Sequence, residues 1–350
     1  PTWNERDQLA HRFAPRLVLF PEDHARARPG KQTERIGDYH PRTVELLLER
    51  GALWTGWLAP RQPATLDALA ACTSDDDQLL LLGKPLPNPD FAWDFYFDLL
   101  DRARFPLTTY ARVQTRGEAN AATRDANAIG KDAPLYPDEV GRPFFKASRA
   151  ADDDVSIQYW FCYFYDDWAN QHEGDWEGIC VFLRREGADY APVGASYYAH
   201  ETGLRRHWMH VEKSEDDHPL VFVAAGSHAS YFQFVQGGYV TTVKNLIMPV
   251  LSLKLNMGFA TQRCDRVPDV RECLPLEPRV ELLPDPIAPE DRNAPAWRHK
   301  KWLAFPGRWG IRLLGGLIYG GPLGPSHKGL KWHNPFAWME RYCVPDYLVY

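Results

Sequence analysis

The stretch "VSIQYWFCYFYDDW" at 155–168 constrains this chain more than any other. A strand with one wet face alternates apolar and polar residues, whereas this run of β-branched and aromatic residues is apolar almost throughout. It predicts a central strand buried on both faces. Such a strand needs neighbours, and the chain supplies them. "DWEGICVFL", "APVGASYYAH", "RRHWMHVEK" and "PLVFVAAG" follow at 175–226, separated by turn residues, in the rhythm of an antiparallel β-sandwich or jelly roll. The expected fold is therefore mainly β. A sandwich core over 155–245 carries the site, and helices, strands and loops from 1–154 and 246–350 pack on it as one large domain of 350 residues.

The flanks give coarser signals. "PTWNERDQLAHRFAP" predicts a short helix ending at Pro15, and "RLVLF" a strand stopped by Pro21. "PRTVELLLERGAL" at 41–53 predicts a helix with Pro41 in its first turn and Gly51 as its stop. Residues 56–150 are turn-rich, with "SDDDQ" and Pro85, Pro87 and Pro89 marking loops. "TTVKNLIMPVLSLKLNMGF" at 241–259 fits either a helix interrupted near Pro249 or two strands. The Pro-rich 275–296 reads as a connector, and the basic, Trp- and Gly-rich 297–338 as loops. There is no internal repeat.

A formal net charge of −6 and a pI near 6.1 argue against nucleic acid as a partner. No apolar run reaches the length of a membrane span, and the N-terminus lacks the apolar core of a secretory signal. The chain reads as soluble, either cytoplasmic or secreted with its leader removed. The six cysteines include no C-x-x-C pair, which argues against a cysteine-ligated metal. Cys264 and Cys273 flank a polar loop, a spacing that suits a disulfide in an oxidising compartment and two thiols in a reducing one.

The chemistry concentrates in "HEGDWE" at 172–177. On a strand, Asp175 and Glu177 share a face with Ile179, Val181 and Leu183, so two carboxylates begin an apolar row. Unpaired, their burial is costly, and a cation between them relieves it. His172 can reach the same volume. One His and two carboxylates suit Ca²⁺, Mg²⁺ or Mn²⁺, and Zn²⁺ or Fe²⁺ if a second His joins. Asp166, Asp167, His200 and His228 lie at neighbouring strand ends and are candidates to complete the shell. The alternative is a structural network, with Arg184, Arg185 or Lys213 as salt-bridge partners and His207 and His210 as ordinary polar residues. Ser227 beside His228 in "GSHAS" does not form a nucleophile elbow, and "GGPLGPS" lacks the lysine of a phosphate loop. Arg308, Arg312, Lys328 and Lys331 beside it suit an ordinary solvated face better than an anionic head group, which they could also meet.

"HEGDWE", "VFVAAGSHASYF" at 221–232, "RFAPRLVLFPED" at 12–23, "GRWG" at 307–310 and "GGPLGPSHKGLKWHNPFAW" at 320–338 together resemble the vacuolar protein sorting-associated protein 62 family over most of the chain. The central piece is also similar to the necrosis- and ethylene-inducing-like proteins, metal-dependent, lipid-binding β-sandwich cytolysins with a G-H-R-H-D-W-E heptapeptide. That resemblance implies a metal held by His172, Asp175 and Glu177, an upstream acid at Asp166 or Asp167, and His200 of "YYAHETG" in the same cavity. Glu173 and Gly174 stand where the heptapeptide has Arg and a second His, which makes the rim more acidic.

Two functions follow as expectations. In one, a divalent ion binds a polar sugar or phosphate head group of a lipid or glycan, with aromatic and basic C-terminal residues supporting peripheral membrane or glycan contact. In the other, the ion activates a water for hydrolysis or elimination, and Glu173, His200 or His228 moves the proton. The oligomeric state is not legible.

Overall fold

The computed structural model describes residues 1–24, 38–55, 61–82, 89–123, 151–168, 171–200, 202–244, 260–284, 297–313 and 319–345. The architecture is mainly β, organised on a seven-stranded mixed sheet. Thr108–Thr115, Val155–Asp166, His172–Glu186, Asp189–Ala199 and Thr202–His207 run antiparallel, each beside the next. A parallel edge strand closes each side: Arg279–Leu282 beside Thr108–Thr115, and Cys343–Pro345 beside Thr202–His207. Every residue of Val155–Asp166 is buried, as its apolar run predicts.

Both faces are covered because both termini return to the sheet. On one face lie the C-terminal helices Leu330–His333 and Pro335–Tyr342. Trp332 packs on Trp160, its carbonyl accepts from Gln158 Nε2 at 2.9 Å, and Phe336 meets Phe182. On the other face lie the N-terminal helix Trp3–Arg12 and a small sheet of Arg16–Val18, Leu220–Val223 and Ser230–Tyr231. Tyr159 Oη donates to the Ala10 carbonyl at 2.9 Å, and the ring of Tyr197 stacks on Phe232 at 3.8 Å. The helix starts at Trp3 because Thr2 and Glu5 form a reciprocal capping box, and it ends at Arg12, ahead of the expected Pro15. A four-stranded sheet of Ala52–Trp54, Gln62–Pro63, Gln78–Leu80 and Arg308–Trp309 adds a further layer, and no sheet of the described residues closes into a barrel.

Several elements differ from expectation for identifiable reasons. The strand predicted from Asp175 begins at His172, which pairs with Asp166, so the polar residues belong to the ladder rather than to a turn. "RRHWMHVEK" leaves the sheet at His207 and forms a 3₁₀ turn over Trp208–His210, with His207 and His210 exposed. The Pro-rich connector contributes the edge strand Arg279–Leu282, a position where nearby prolines interrupt no central ladder. The helix predicted over 41–53 shortens to Val44–Leu48: Arg42 is drawn into a bridge with Leu107 at its start, and the chain enters the strand Ala52–Trp54 after its end. Tyr239–Lys244 pairs antiparallel with Ala260–Asp265, while 245–259, most of the stretch expected as a helix or two strands, lies outside the described residues. So do the Cys264 side chain, Pro85 and Pro87. No described helix is long and apolar enough to cross a membrane.

The C-terminal aromatic and basic residues serve the interior. Trp302, Trp309, Trp332 and Trp338 are buried, Lys328 Nζ donates to the Trp176 carbonyl at 2.6 Å, and Lys331 Nζ lies 4.6 Å from the ring centre of Tyr198. Arg308, Arg312, Lys328 and Lys331 are half-buried.

The two central strands approach too closely at one point to tolerate a side chain. A Cβ on Gly178 would stand 2.1 Å from the Tyr159 carbonyl oxygen, in the neighbouring strand. Gly178→Ala is expected to cost about 1–3 kcal/mol, read as a lower urea midpoint; an unchanged midpoint contradicts this packing.

Candidate metal centre

The site forms where the central hairpin ends, and one glycine decides which side chains meet there. In a regular strand Glu173 would share a face with Asp175 and Glu177, and His172 would point away. Gly174 has φ 62° and interrupts that alternation. Glu173 turns to the opposite side, where its carboxylate accepts the Leu81 N–H at 3.0 Å and the Leu82 N–H at 3.1 Å. His172 arrives on the side of Asp175. The position demands glycine, since an added Cβ would also lie 2.7 Å from the Trp309 carbonyl oxygen.

Asp166, His172 and Asp175 each bring one ligand atom into a group in which all lie within 4.8 Å of one another, and all three residues are buried. His172 Nδ1 lies 2.7 Å from the Gly174 carbonyl oxygen, which assigns the proton to Nδ1 and leaves Nε2 as the free lone pair. That Nε2 is 3.6 Å from Asp166 Oδ2. Ligating histidines are commonly held in this way. The carboxylates are anchored as well: Asp166 Oδ1 accepts the Trp168 N–H at 2.8 Å, and Asp175 Oδ1 accepts the Trp176 N–H at 2.8 Å.

His228 stands behind Asp175. The turn 224–229 is tied by Ala224 N–H to the Ala229 carbonyl and by His228 N–H to the Ala224 carbonyl, and it holds His228 at φ 53°. Nδ1 of His228 is 3.0 Å from Asp175 Oδ2, Nε2 is 3.5 Å from Asp38 Oδ1, and Tyr163 stacks on the ring at 3.9 Å. Asp38 is itself fixed by the Gly226 and Tyr39 N–H groups, each at 2.8 Å. Burial opposes a charge on His228, but Asp38 and Asp175 outweigh it and push the ring up to about 10. With both nitrogens facing carboxylates, His228 is a positioning group for Asp175 and not a second histidine ligand.

The other expected residues fall around this group. Glu177, expected as a ligand, contributes no atom to it. Asp167 turns aside and accepts from Gln171 Nε2 at 3.1 Å. His200, at φ 56°, pairs through Nε2 with Asp265 Oδ2 at 2.6 Å, and Trp168 stacks on its ring. Ser227 donates to Asp265 at 3.0 Å rather than engaging its neighbour His228, so no serine triad forms. Arg185 and Lys213, the candidate structural partners, pair instead with Asp153 and Asp217.

The electrostatics show what the arrangement costs. Burial, reinforced by Asp175, raises Asp166 to about 6 against the pull of His172. Burial and then Asp175 raise Glu177 to about 8, with Lys331 and Lys328 countering weakly. Burial lifts Glu173 to about 7 despite its two backbone donors. For Asp175 burial acts upward too, but the hydrogen bond and charge of His228 hold it below the ordinary range. Glu177 Oε2 and Tyr163 Oη are buried here without a hydrogen-bond partner.

No family model, no curated protein and no solved structure matches the chain. The resemblance drawn from "HEGDWE" and its flanks therefore rests on those residues alone. Sequence spacing located Asp166, His172 and Asp175, but not Asp38, Asp265 or Tyr163. Asp38 and Asp265 lie in unremarkable polar stretches and reach the site only through the fold.

The native state of the ion-free protein holds protons on Asp166, Glu173 and Glu177 at pH values where the unfolded chain has lost them. Their raised values therefore stabilise the fold below about pH 4.5, and the benefit fades as pH climbs towards 8. Ion-free protein is expected to lose at least about 2 kcal/mol between pH 5 and pH 8. Urea titrations at the two pH values test this. Equal or greater stability at pH 8 without ion contradicts it.

Proposed function

We propose that this protein is built around a divalent ion held by Asp166, His172 and Asp175, which binds a polar head group, a phosphate or sugar of a lipid or glycan. The observation that carries the reading is the set of three buried ligand atoms within 4.8 Å, with the His172 lone pair freed towards Asp166 by its other nitrogen's contact with Gly174. Two carboxylates and one imidazole suit Mg²⁺, Mn²⁺ or Ca²⁺. Zn²⁺ and Fe²⁺ fit less well, because His228 is engaged by Asp38 and Asp175 and brings no second nitrogen.

The ligand side of the reading follows from charge. With Asp38, Asp166, Asp175 and Glu177 close together, an anionic head group can approach only through the ion. Supporting contact from the C-terminal tryptophans drops out of the proposal, since those residues are core.

Calorimetry with Mn²⁺ on chelator-stripped protein tests the centre. One ion per chain is expected, with affinity reduced at least about 100-fold in Asp175→Ala and His172→Ala. Glu173→Gln is the contrasting variant. It weakens the anchor of the Leu81 and Leu82 N–H groups and is expected to cost about 1–3 kcal/mol of stability while leaving ion affinity unchanged. No ion uptake, or equal uptake by Asp175→Ala, overturns the reading.

A further inference from the structure

Beside the candidate ion centre lies a second constellation of buried polar groups. Asp265 is fully buried and accepts from Ser227 Oγ at 3.0 Å and Tyr231 Oη at 2.6 Å, so its carboxylate has a fixed orientation. Its third partner is His200 Nε2, at 2.6 Å. With Nε2–H donating to Asp265, the neutral ring carries its lone pair on Nδ1. The His200 side chain is 23% exposed, whereas His172 is 6% and His228 0%. Of the site histidines it alone combines a buried orienting carboxylate with access to solvent.

Trp168 couples this pair to the ion centre. Its N–H caps Asp166 Oδ1 at 2.8 Å, and its indole stacks on the His200 ring at 4.6 Å. His200 also holds a left-handed backbone, φ 56°, which a residue with a Cβ adopts at a cost and which concentrates at functional positions. The other two expected proton carriers are spoken for. Glu173 binds the backbone of Leu81 and Leu82, and His228 is enclosed between Asp38 and Asp175.

We propose that His200 is a general base, oriented by Asp265 as a positioning residue, and that the protein hydrolyses phosphoesters at the ion centre. The inference rests on the ion-centre reading and extends it from binding to turnover. Phosphate is the matching substrate class: a hard ion among carboxylates takes anionic oxygens, and the surrounding acids repel such a substrate unless the ion is present. In the step, the oxygen of a water forms a bond to phosphorus as the ester P–O bond breaks. The water proton passes to His200 Nδ1, the imidazolium is stabilised by Asp265, and the electron pair leaves with the alcohol or phenol oxygen, with no oxidant or reductant needed. His200 is in contact with Asp265 from the strand 260–265 and with Trp168, and the charges of Glu177 and Asp166 in and beside the central hairpin act on it from farther away. Burial works against its charge, but these acids hold it above the ordinary imidazole range. The rate should therefore rise with pH as His200 loses its proton.

The test uses the full chain with Mn²⁺, and p-nitrophenyl phosphate and bis(p-nitrophenyl) phosphate as probes for monoester and diester cleavage. Ion-dependent turnover of one of the two is expected. His200→Gln should lower kcat about 10²–10⁴-fold with ion affinity unchanged, and Asp265→Asn should lower kcat and move the rising limb to lower pH. Nitrogen NMR of the imidazoles, without substrate, gives a separate readout: an Nε2–H tautomer at His200 that Asp265→Asn abolishes. Ion-loaded protein that cleaves neither ester, or His200→Gln that cleaves as fast as the parent, overturns the base role and leaves the binding reading standing. A chain that takes up no ion and cleaves neither ester overturns both.

Discussion

Desolvating carboxylates is the constraint around which this structure is organised. Asp38, Asp166, Asp175, Glu177 and Asp265 are buried within one end of the molecule, and a carboxylate out of water is costly unless hydrogen bonds or positive charge replace its hydration. Each is answered differently. Asp38 and Asp265 are surrounded by donors, Asp175 has the imidazole of His228, and Asp166 and Glu177 respond by holding their protons far above the ordinary range. A divalent ion between Asp166 and Asp175 would supply the positive charge that the side chains do not.

The fold makes that burial tolerable by over-determining the neighbourhood. The central strands carry an aromatic core on both faces, so the end of the hairpin is fixed by contacts well away from the acids. Tyr163, stacked on His228, belongs to the same strand as Asp166; Trp176, whose N–H caps Asp175, stacks on Trp302. The loop 224–229 is clamped in turn, with the Asp167 N–H donating to the Gly226 carbonyl. Ligand-bearing side chains on rigid strands, each held by a neighbour, are the arrangement that an ion centre or a reaction requires.

How much of this was legible in the sequence differs between backbone and site. Val155–Asp166 was readable because burial on both faces leaves an uninterrupted apolar run. The edge strands Arg279–Leu282 and Cys343–Pro345 were not, because a short edge strand needs no such pattern and the partner provides the register. At the site, spacing singled out His172 and Asp175 but could not orient Glu173. The alternation rule assumes a regular strand, and Gly174 breaks it; a glycine between a His and an Asp was the one local sign. His228 was visible as a histidine at a strand end, yet its role depends on Asp38, which arrives from the far N-terminal side of the chain. Asp265 was silent, one acid among several in a polar stretch, until folding set it against His200, Ser227 and Tyr231.

The central claim, that an ion sits on Asp166, His172 and Asp175, is tested most directly by electron spin-echo envelope modulation of the Mn²⁺-loaded protein. The account predicts modulation from one directly bound imidazole nitrogen, present in the parent chain and in His228→Gln, and lost in His172→Gln. Mn²⁺ without nitrogen coupling, or coupling that survives His172→Gln, places the ion elsewhere and contradicts the account.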